Sequence, residues 1–199
     1  LGIGGFDLSE TTDLTCATML FCIHDDPNIY VKQMYWIPED LLEKRVHEDR
    51  VPYDIWKKKG WLQTSPGFRN DYRLIIQWFV DEMEYDDIYL YKCGFDRWSA
   101  AYLVQSMKER FGEDVMVPVA QGKQTLSGPM KNLAADMSAK RIIYNNNPIL
   151  KWCMSNVAVD VDRNDNIQPC KTSNPRKRID GFASLLDAYT VYEQNKEDY

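Results

Sequence analysis

The order of the chain's regular segments limits its fold more than any other feature. Residues 3–8, 14–24 and 29–37 are apolar or alternating runs that read as three strands in direct succession. Asp25-Asp26-Pro27-Asn28 between the last two is turn chemistry, so they form an antiparallel hairpin. A short helix follows Pro38, with Glu39 and Asp40 in the first turn where the helix dipole favours acids, and a helical turn from Pro52 to Lys59 stops at Gly60. After a TSPGF loop, Asn70 or Asp71 caps a helix in which Leu74, Ile75, Trp78, Phe79 and Glu82 recur at helical spacing. IYLYKC, bounded by Gly94, reads as a buried strand of a parallel pair; Arg97 to Phe111 is an amphipathic helix and Val115 to Val119 a further strand. Gly128-Pro129 is expected to open the next helix, with proline at its favoured first position. A late hairpin is expected from residues 156–161 and 167–170, turning at Arg163-Asn164-Asp165-Asn166. The final helix is expected to begin at Asn174-Pro175, with Ile179, Phe182, Ala183 and Leu186 as its core stripe.

An antiparallel meander followed by two strands that each return through a helix must build a mixed sheet, because helical crossovers give parallel neighbours. The expected fold is therefore α/β: a sheet of five or more strands, antiparallel and then parallel, with helices on both faces. That is the architecture of ribonuclease H-like domains, although a fold alone does not license a function. The 199 residues suit one domain with a sizeable core, and 44% hydrophobic residues exclude a disordered chain. No run of eighteen apolar residues exists, and the N-terminus lacks a signal peptide's basic flank and cleavage site, so a soluble, intracellular protein without a membrane span is expected. Cys16, Cys22, Cys93, Cys153 and Cys170 are odd in number and scattered, and read as free thiols. With no CxxC, and with only His24 and His47 far apart, any bound metal must be held by oxygen. The formal charge of −6 argues against a whole-surface grip on a polyanion, yet Lys171, Arg176, Lys177 and Arg178 fall close together.

Three acids lie where the chain changes direction beside a strand: Asp7 at the end of the first, Asp96 just past IYLYKC, and Asp180 in the last helix. The two strands are neighbours in a sheet of this order, so Asp7 and Asp96 can converge, while Asp180 lies at the margin of its helix's packed face. Converging carboxylates repel unless cations sit between them, and Mg²⁺ or Mn²⁺ is the natural occupant of an oxygen site. Two such ions roughly 3.5 to 4 Å apart could activate a water and stabilise the leaving oxygen of a phosphodiester. Each acid also has a plainer reading: Asp96 as a helix N-cap, Asp7 as an Asx turn before Ser9 and Thr11, and Asp180 as a solvated helix residue. Asp187, seven residues on along the same face, reads as solvated. GIGGFD is no dinucleotide loop, since its glycines precede the acid within a strand. Gly122-Lys123 lacks the upstream glycine of a phosphate-binding loop, because Val117 stands there.

The runs YWIPEDLLEKR, VPYDIWKKKGWLQTSPG, NDY, GFDRWSA, TLSGPMKNL, NPILKWCMSNV and KRIDGFASLLDAY together resemble the C-terminal nuclease domain of tailed-phage terminase large subunits, in order and over nearly the whole chain. The resemblance implies a ribonuclease H-like, metal-dependent endonuclease that cuts concatemeric double-stranded DNA when genome packaging starts and stops. The family's three acids fall on Asp7 in GGFDLS, Asp96 in GFDRWSA and Asp180 in RIDGFASL, the same three that the topology selects. Asp13 in TTDLT matches the first motif and would either support the metal site, the favoured reading, or simply hold the loop, with Glu10 a competing helper. Arg97, Trp98 and Lys171 match as well: Lys171 as a phosphate contact, Trp98 as a core residue. A DNA track would combine Lys171, Arg176, Lys177 and Arg178 with Arg97, Lys123, Lys131, Lys140 and Arg141.

The resemblance also implies one or more Mg²⁺ or Mn²⁺ ions, with two expected, and a working place in the host bacterial cytoplasm. Its partners there would be double-stranded DNA, a packaging ATPase domain, a portal protein and a small terminase subunit. A complete subunit carries an N-terminal ATPase that nothing here resembles, so residues 1–199 are expected to be a single nuclease domain, monomeric in isolation. Three rivals share parts of the pattern. An actin-like or sugar-kinase fold would use DLSETTDLT as a phosphate loop, but a second glycine-rich loop is lacking. Another ribonuclease H-like nuclease or transposase-type enzyme would share the metal chemistry, and a non-catalytic docking module of the motor would use the acids only as caps.

Overall fold

The computed structural model describes residues 1–9, 14–174 and 176–198. Its strands are β1 (Gly2–Asp7), β2 (Thr15–Cys22), β3 (Ile29–Pro38), β4 (Leu62–Ser65), β5 (Leu90–Asp96), β6 (Met116–Val119), β7 (Ile142–Ile143), β8 (Val157–Val161) and β9 (Ile167–Lys171). The α-helices are α1 (Leu42–Asp49), α2 (Tyr53–Lys58), α3 (Arg73–Asp86), α4 (Ala101–Phe111), α5 (Lys123–Ser138), α6 (Pro148–Asn156) and α7 (Asp180–Gln194). The main sheet runs β4-β3-β2-β1-β5-β6, with β7 also on β3, while β8 and β9 form a separate antiparallel hairpin. The meander of β1, β2 and β3 is antiparallel, and β5 pairs with β1 in parallel, as the segment order requires.

Alternation along β1 divides the core. Ile3 and Gly5 face α7, whereas Phe6 points to the opposite side, where it joins Ile75, Trp78 and Phe79 of α3 and Leu103 and Met107 of α4. On the first side α7 packs against β1, β2 and β5, and α5 and α6 pack on α7. Helix α7 is enclosed on almost all sides, a wider burial than the single stripe expected of it: Leu185, Ala188, Tyr189 and Val191 are all fully buried alongside Phe182 and Leu186. A third cluster joins Leu14, Tyr35 and Ile37 to Tyr53 and Trp56 of α2. All five cysteines are free, as expected. Among the described residues no helix is long and apolar enough to cross a membrane.

Several boundaries differ from the sequence reading, for identifiable reasons. Helix α5 begins at Lys123, six residues before Pro129, because Leu126, Met130 and Leu133 form one apolar stripe against α7, and that burial outweighs the backbone bond a mid-helix proline removes. The last helix starts at Asp180 rather than at residue 174: Asn174 Oδ1 accepts from the Arg176 amide in a local turn, and Pro175 lies outside the described residues. Helix α4 starts at Ala101, since Asp96 Oδ1 accepts the Trp98 amide and its carbonyl accepts that of Ser99, closing a turn over residues 96–99. The TS of TSPGF belongs to β4, which pairs in parallel with the end of β3. Of the two cap candidates before α3, Asp71 accepts the Arg73 amide at Oδ1 (3.0 Å), whereas Asn70 Nδ2 donates to the Ser9 carbonyl and to Thr15 Oγ1, tying the loop before α3 to the end of β1. Strand β7 and helix α6 were not anticipated, although Asn147 caps α6 ahead of Pro148.

Candidate metal centre

Two adjacent parallel strands, β1 and β5, each end on an aspartate at the same edge of the sheet, where strands of α/β folds present their ligand-binding loops. Gly5 stands opposite Gly94, and strand alternation puts Gly5, Asp7, Gly94 and Asp96 on the face covered by α7. These two glycines let the helix backbone reach contact distance: a Cβ on Gly5 would lie 2.6 Å from the Ser184 carbonyl oxygen, and one on Gly94 2.6 Å from that of Asp187. Polar contacts then fix the helix. Ser184 Oγ donates to the Gly5 carbonyl (3.2 Å) and shares a 2.7 Å bond with Thr18 Oγ1, while Gln33 Nε2 donates to the Gly181 carbonyl (2.9 Å). Asp180, the first residue of α7, is thereby held over the end of β1.

The Asp7 and Asp180 carboxyls lie close enough for Asp180 to act directly on the protonation of Asp7, and Asp180 Oδ2 is buried and accepts no hydrogen bond from the described residues. Burial first, then the charges of Asp180 and Asp187, push Asp7 well above the usual carboxylate range, and the Lys171 ammonium pulls the other way. A cavity of about 390 Å³ opens between Asp7 and Asp96, walled by Leu8, Tyr72 and Trp98. Asp180 and Asp187 are buried, and Asp7 and Asp96 are half-buried. Among the described residues no three His, Cys, Asp or Glu side chains already stand in a ligating cluster. The arrangement is instead a carboxylate pair, Asp7 with Asp180, and Asp96 across the cavity. Its chemistry fits a hard divalent cation: the donors are all oxygens, Asp180 Oδ2 is buried and accepts no hydrogen bond from the described residues, and neighbouring carboxylates are relieved by either a proton or a cation.

Asp187 is the site residue that sequence reasoning missed. It is 5% exposed, not solvated, because α7 is seated directly on Gly94 of β5. Burial, reinforced by the charge of Asp96 and opposed by a 3.4 Å hydrogen bond from Gln121 Nε2, raises its pKa to about 8. An aspartate in an unfolded chain titrates near 3.9, so the folded protein takes up a proton between about 4 and about 8. The associated stability is fully present below the lower value and is lost as pH rises through the upper one. Asp7, shifted in the same direction, adds to the slope. The metal-free protein should therefore melt several degrees lower at pH 8.5 than at pH 5.5, and Asp187→Asn should flatten that slope. A thermal-shift series in which the variant keeps the parental slope would remove Asp187 from this role.

The other named residues scatter. Lys171, Arg176, Lys177 and Arg97 are exposed, and Lys171 is close enough to act on Asp7. Arg178 corrects the sequence reading: it is 7% exposed and ion-paired with buried Asp49 at 3.4 Å, a structural cation rather than a surface one. Lys123 pairs with Asp160 (2.8 Å) on the β8–β9 hairpin, and Lys131 donates to the Asp165 carbonyl (2.8 Å) in its turn. Arg141 pairs with Asp136. Trp98 is not core but 83% exposed, because the turn after β5 points it outward while Phe95 fills the interior position. Glu10 and Asp13 lie outside the described residues.

The chain matches the family model "Terminase large subunit, endonuclease domain" over residues 2–196. It is 30% identical over 184 residues to the terminase large subunit of Enterobacteria phage HK97, an alignment covering 91% of this chain and 35% of that protein. The chain thus spans about a third of that relative's length. The crystal structure of the HK97 large terminase superposes with a TM-score of 0.84 at 27% identity, over 96% of this chain and 39% of that one. Two isolated nuclease domains share the fold at lower identity. The large terminase nuclease of thermophilic phage G20c with bound magnesium has a TM-score of 0.57 at 12% identity, over 96% of this chain and 80% of that one. The g2p nuclease domain of bacteriophage SPP1 with bound Mn has 0.52 at 10%, over 98% and 86%. With a family match spanning almost its full length on a ribonuclease H-like sheet, the chain belongs to the terminase large-subunit endonuclease domain family.

Proposed function

We propose that this chain is a divalent-metal-dependent endonuclease that hydrolyses double-stranded DNA during phage genome packaging, with Asp7, Asp96 and Asp180 as the ligands of two Mg²⁺ or Mn²⁺ ions. The observation that carries the reading is the carboxylate arrangement at one sheet edge: Asp7 within electrostatic reach of buried Asp180, and Asp96 lining the same cavity as Asp7. The metal-bound G20c and SPP1 nuclease domains support a divalent ion in a fold of this kind. When bound, such ions supply Lewis acidity and a water of lowered pKa for phosphodiester hydrolysis.

The chain's own residues have separable tasks. Asp7, Asp96 and Asp180 act as ligands rather than general bases, and the hydrogen bonds of Ser184 and Gln33 keep Asp180 in register with Asp7. Lys171, whose charge reaches Asp7, would meet a phosphate there, and exposed Arg97, Arg176 and Lys177 would bind the DNA backbone without reading sequence. Binding through so few cations is weak and falls steeply with salt. In a complete motor the domain would work beside a packaging ATPase domain, a portal protein and a small subunit. Relaxation of supercoiled plasmid tests the reading: nicking is expected with Mn²⁺, more slowly with Mg²⁺, and none with EDTA. Cutting that persists in EDTA, or no cutting together with stabilisation by ATP, would overturn it.

A further inference from the structure

We infer that Trp98 is a DNA-contacting wedge that stacks on a nucleobase beside the cut phosphate and steers cleavage toward steps where the duplex is already distorted. The inference rests on the nuclease reading of the Asp7–Asp96 edge. Trp98 is 83% exposed although full burial of so large an apolar side chain is favourable. It walls the same cavity as Asp7 and Asp96. The backbone that carries it is held in a turn: its amide donates to Asp96 Oδ1 (3.1 Å), and the Ser99 amide donates to the Asp96 carbonyl (2.8 Å). The core on either side is filled by Phe95 and Leu103, so the indole has no packing duty.

Chemistry around the indole favours nucleic acid over an apolar protein partner. Exposed Arg97 adjoins it, and exposed Tyr102 follows in the first turn of α4. Cations interleaved with exposed aromatics bind a phosphate chain while stacking on bases, and stacking tolerates any sequence because every base offers a π face. In intact duplex the base faces are covered, so an aromatic wedge must first unstack a step. A bulge or mismatch lowers that cost, and the enzyme should prefer such sites.

The test uses two duplexes of one sequence, one carrying a single-base bulge, with wild type, Trp98→Ala and Trp98→Phe compared in Mn²⁺. Wild type is expected to cut the bulged duplex about tenfold faster, a preference that Trp98→Ala abolishes and Trp98→Phe partly keeps. All three should melt alike, and the salt slope of DNA binding should be unchanged by Trp98→Ala, since stacking releases no counterions. Binding is read separately with 2-aminopurine in the bulge and the uncleaving Asp180→Asn protein. The 2-aminopurine signal and the indole emission, isolated as the difference from the Asp180→Asn/Trp98→Phe double variant, should change together. If wild type cuts but Trp98→Ala cuts both duplexes as wild type does, the wedge is refuted while the nuclease stands, and Trp98 is left as a protein-docking residue. If wild type cuts nothing while DNA still perturbs Trp98, the nuclease reading fails and the contact survives.

Discussion

Asp7→Asn and Asp180→Asn should each lower the rate of DNA cleavage by about a thousandfold or more, the equivalent of about 4 kcal/mol of lost transition-state stabilisation. Asparagine keeps the shape of aspartate and one oxygen but loses the charge that holds a divalent ion. The expected effect on stability runs the other way. In the metal-free protein these two carboxylates repel each other, and Asp187 adds to the strain. Neutralising either should hold or raise the melting temperature at pH 8 while abolishing the stabilisation that the proposed metal site predicts for the parent in millimolar Mn²⁺. A structural role for the pair predicts the reverse: lower stability with cutting reduced only in proportion to the folded fraction. Parental plasmid relaxation by Asp180→Asn, or an undiminished Mn²⁺ shift, would remove that residue from the metal site. Asp96→Asn should also lose cutting, and because its Oδ1 remains to accept the Trp98 amide, the adjoining turn should persist.

The outline of this centre was legible in the sequence because it depends on local signals and on topology. Turn residues after β2 and helices between the later strands dictate that β1 and β5 lie side by side, and that alone brings Asp7 and Asp96 to one edge. What was not legible depends on contacts remote in sequence. Four-residue β4 and two-residue β7 are strands only because β3 offers them an edge. Arg178 sits in a basic run yet differs from its neighbours because Asp49, 129 residues away, waits for it in the interior. Asp187 looks like a surface carboxylate until one sees that a glycine on β5 has drawn its helix backbone onto the sheet. Trp98 carries an aromatic signal that normally means core, and the hydrogen-bonded turn at Asp96 reverses it.

Gly5→Ala should be among the most destabilising single-methyl changes in the protein, and Gly4→Ala, one residue away in the same GIGG run, should be milder. At Gly5 the new Cβ would stand 2.6 Å from the Ser184 carbonyl oxygen, 2.7 Å from the Ala188 amide nitrogen and 2.9 Å from Ala188 Cβ. Two of those neighbours are backbone of a buried helix and cannot rotate away. At Gly4 the nearest atoms are Leu90 Cδ1 (2.8 Å), Cys93 Sγ (3.0 Å) and Phe79 Cε1 (3.1 Å), side-chain atoms that can shift. Overpacking costs about 1 to 3 kcal/mol where the surroundings yield, and Gly5 falls at or above the top of that range because α7 must move as a body. Alanine returns about 0.4 to 1 kcal/mol by restricting the unfolded chain, too little to compensate. A net loss of about 3 kcal/mol lowers the melting temperature of a domain this size by about 6 to 12 °C. Displacing α7 also breaks the Ser184 bond to the Gly5 carbonyl and pulls Asp180 off Asp7. Residual cutting by the folded fraction should therefore fall as well, measured below the variant's melting point. Gly94→Ala, which meets the Asp187 carbonyl in the same way, should repeat the result. Equal melting temperatures for Gly4→Ala and Gly5→Ala would mean that the helix is not seated on these glycines, and that some other contact sets the distance between Asp7 and Asp180.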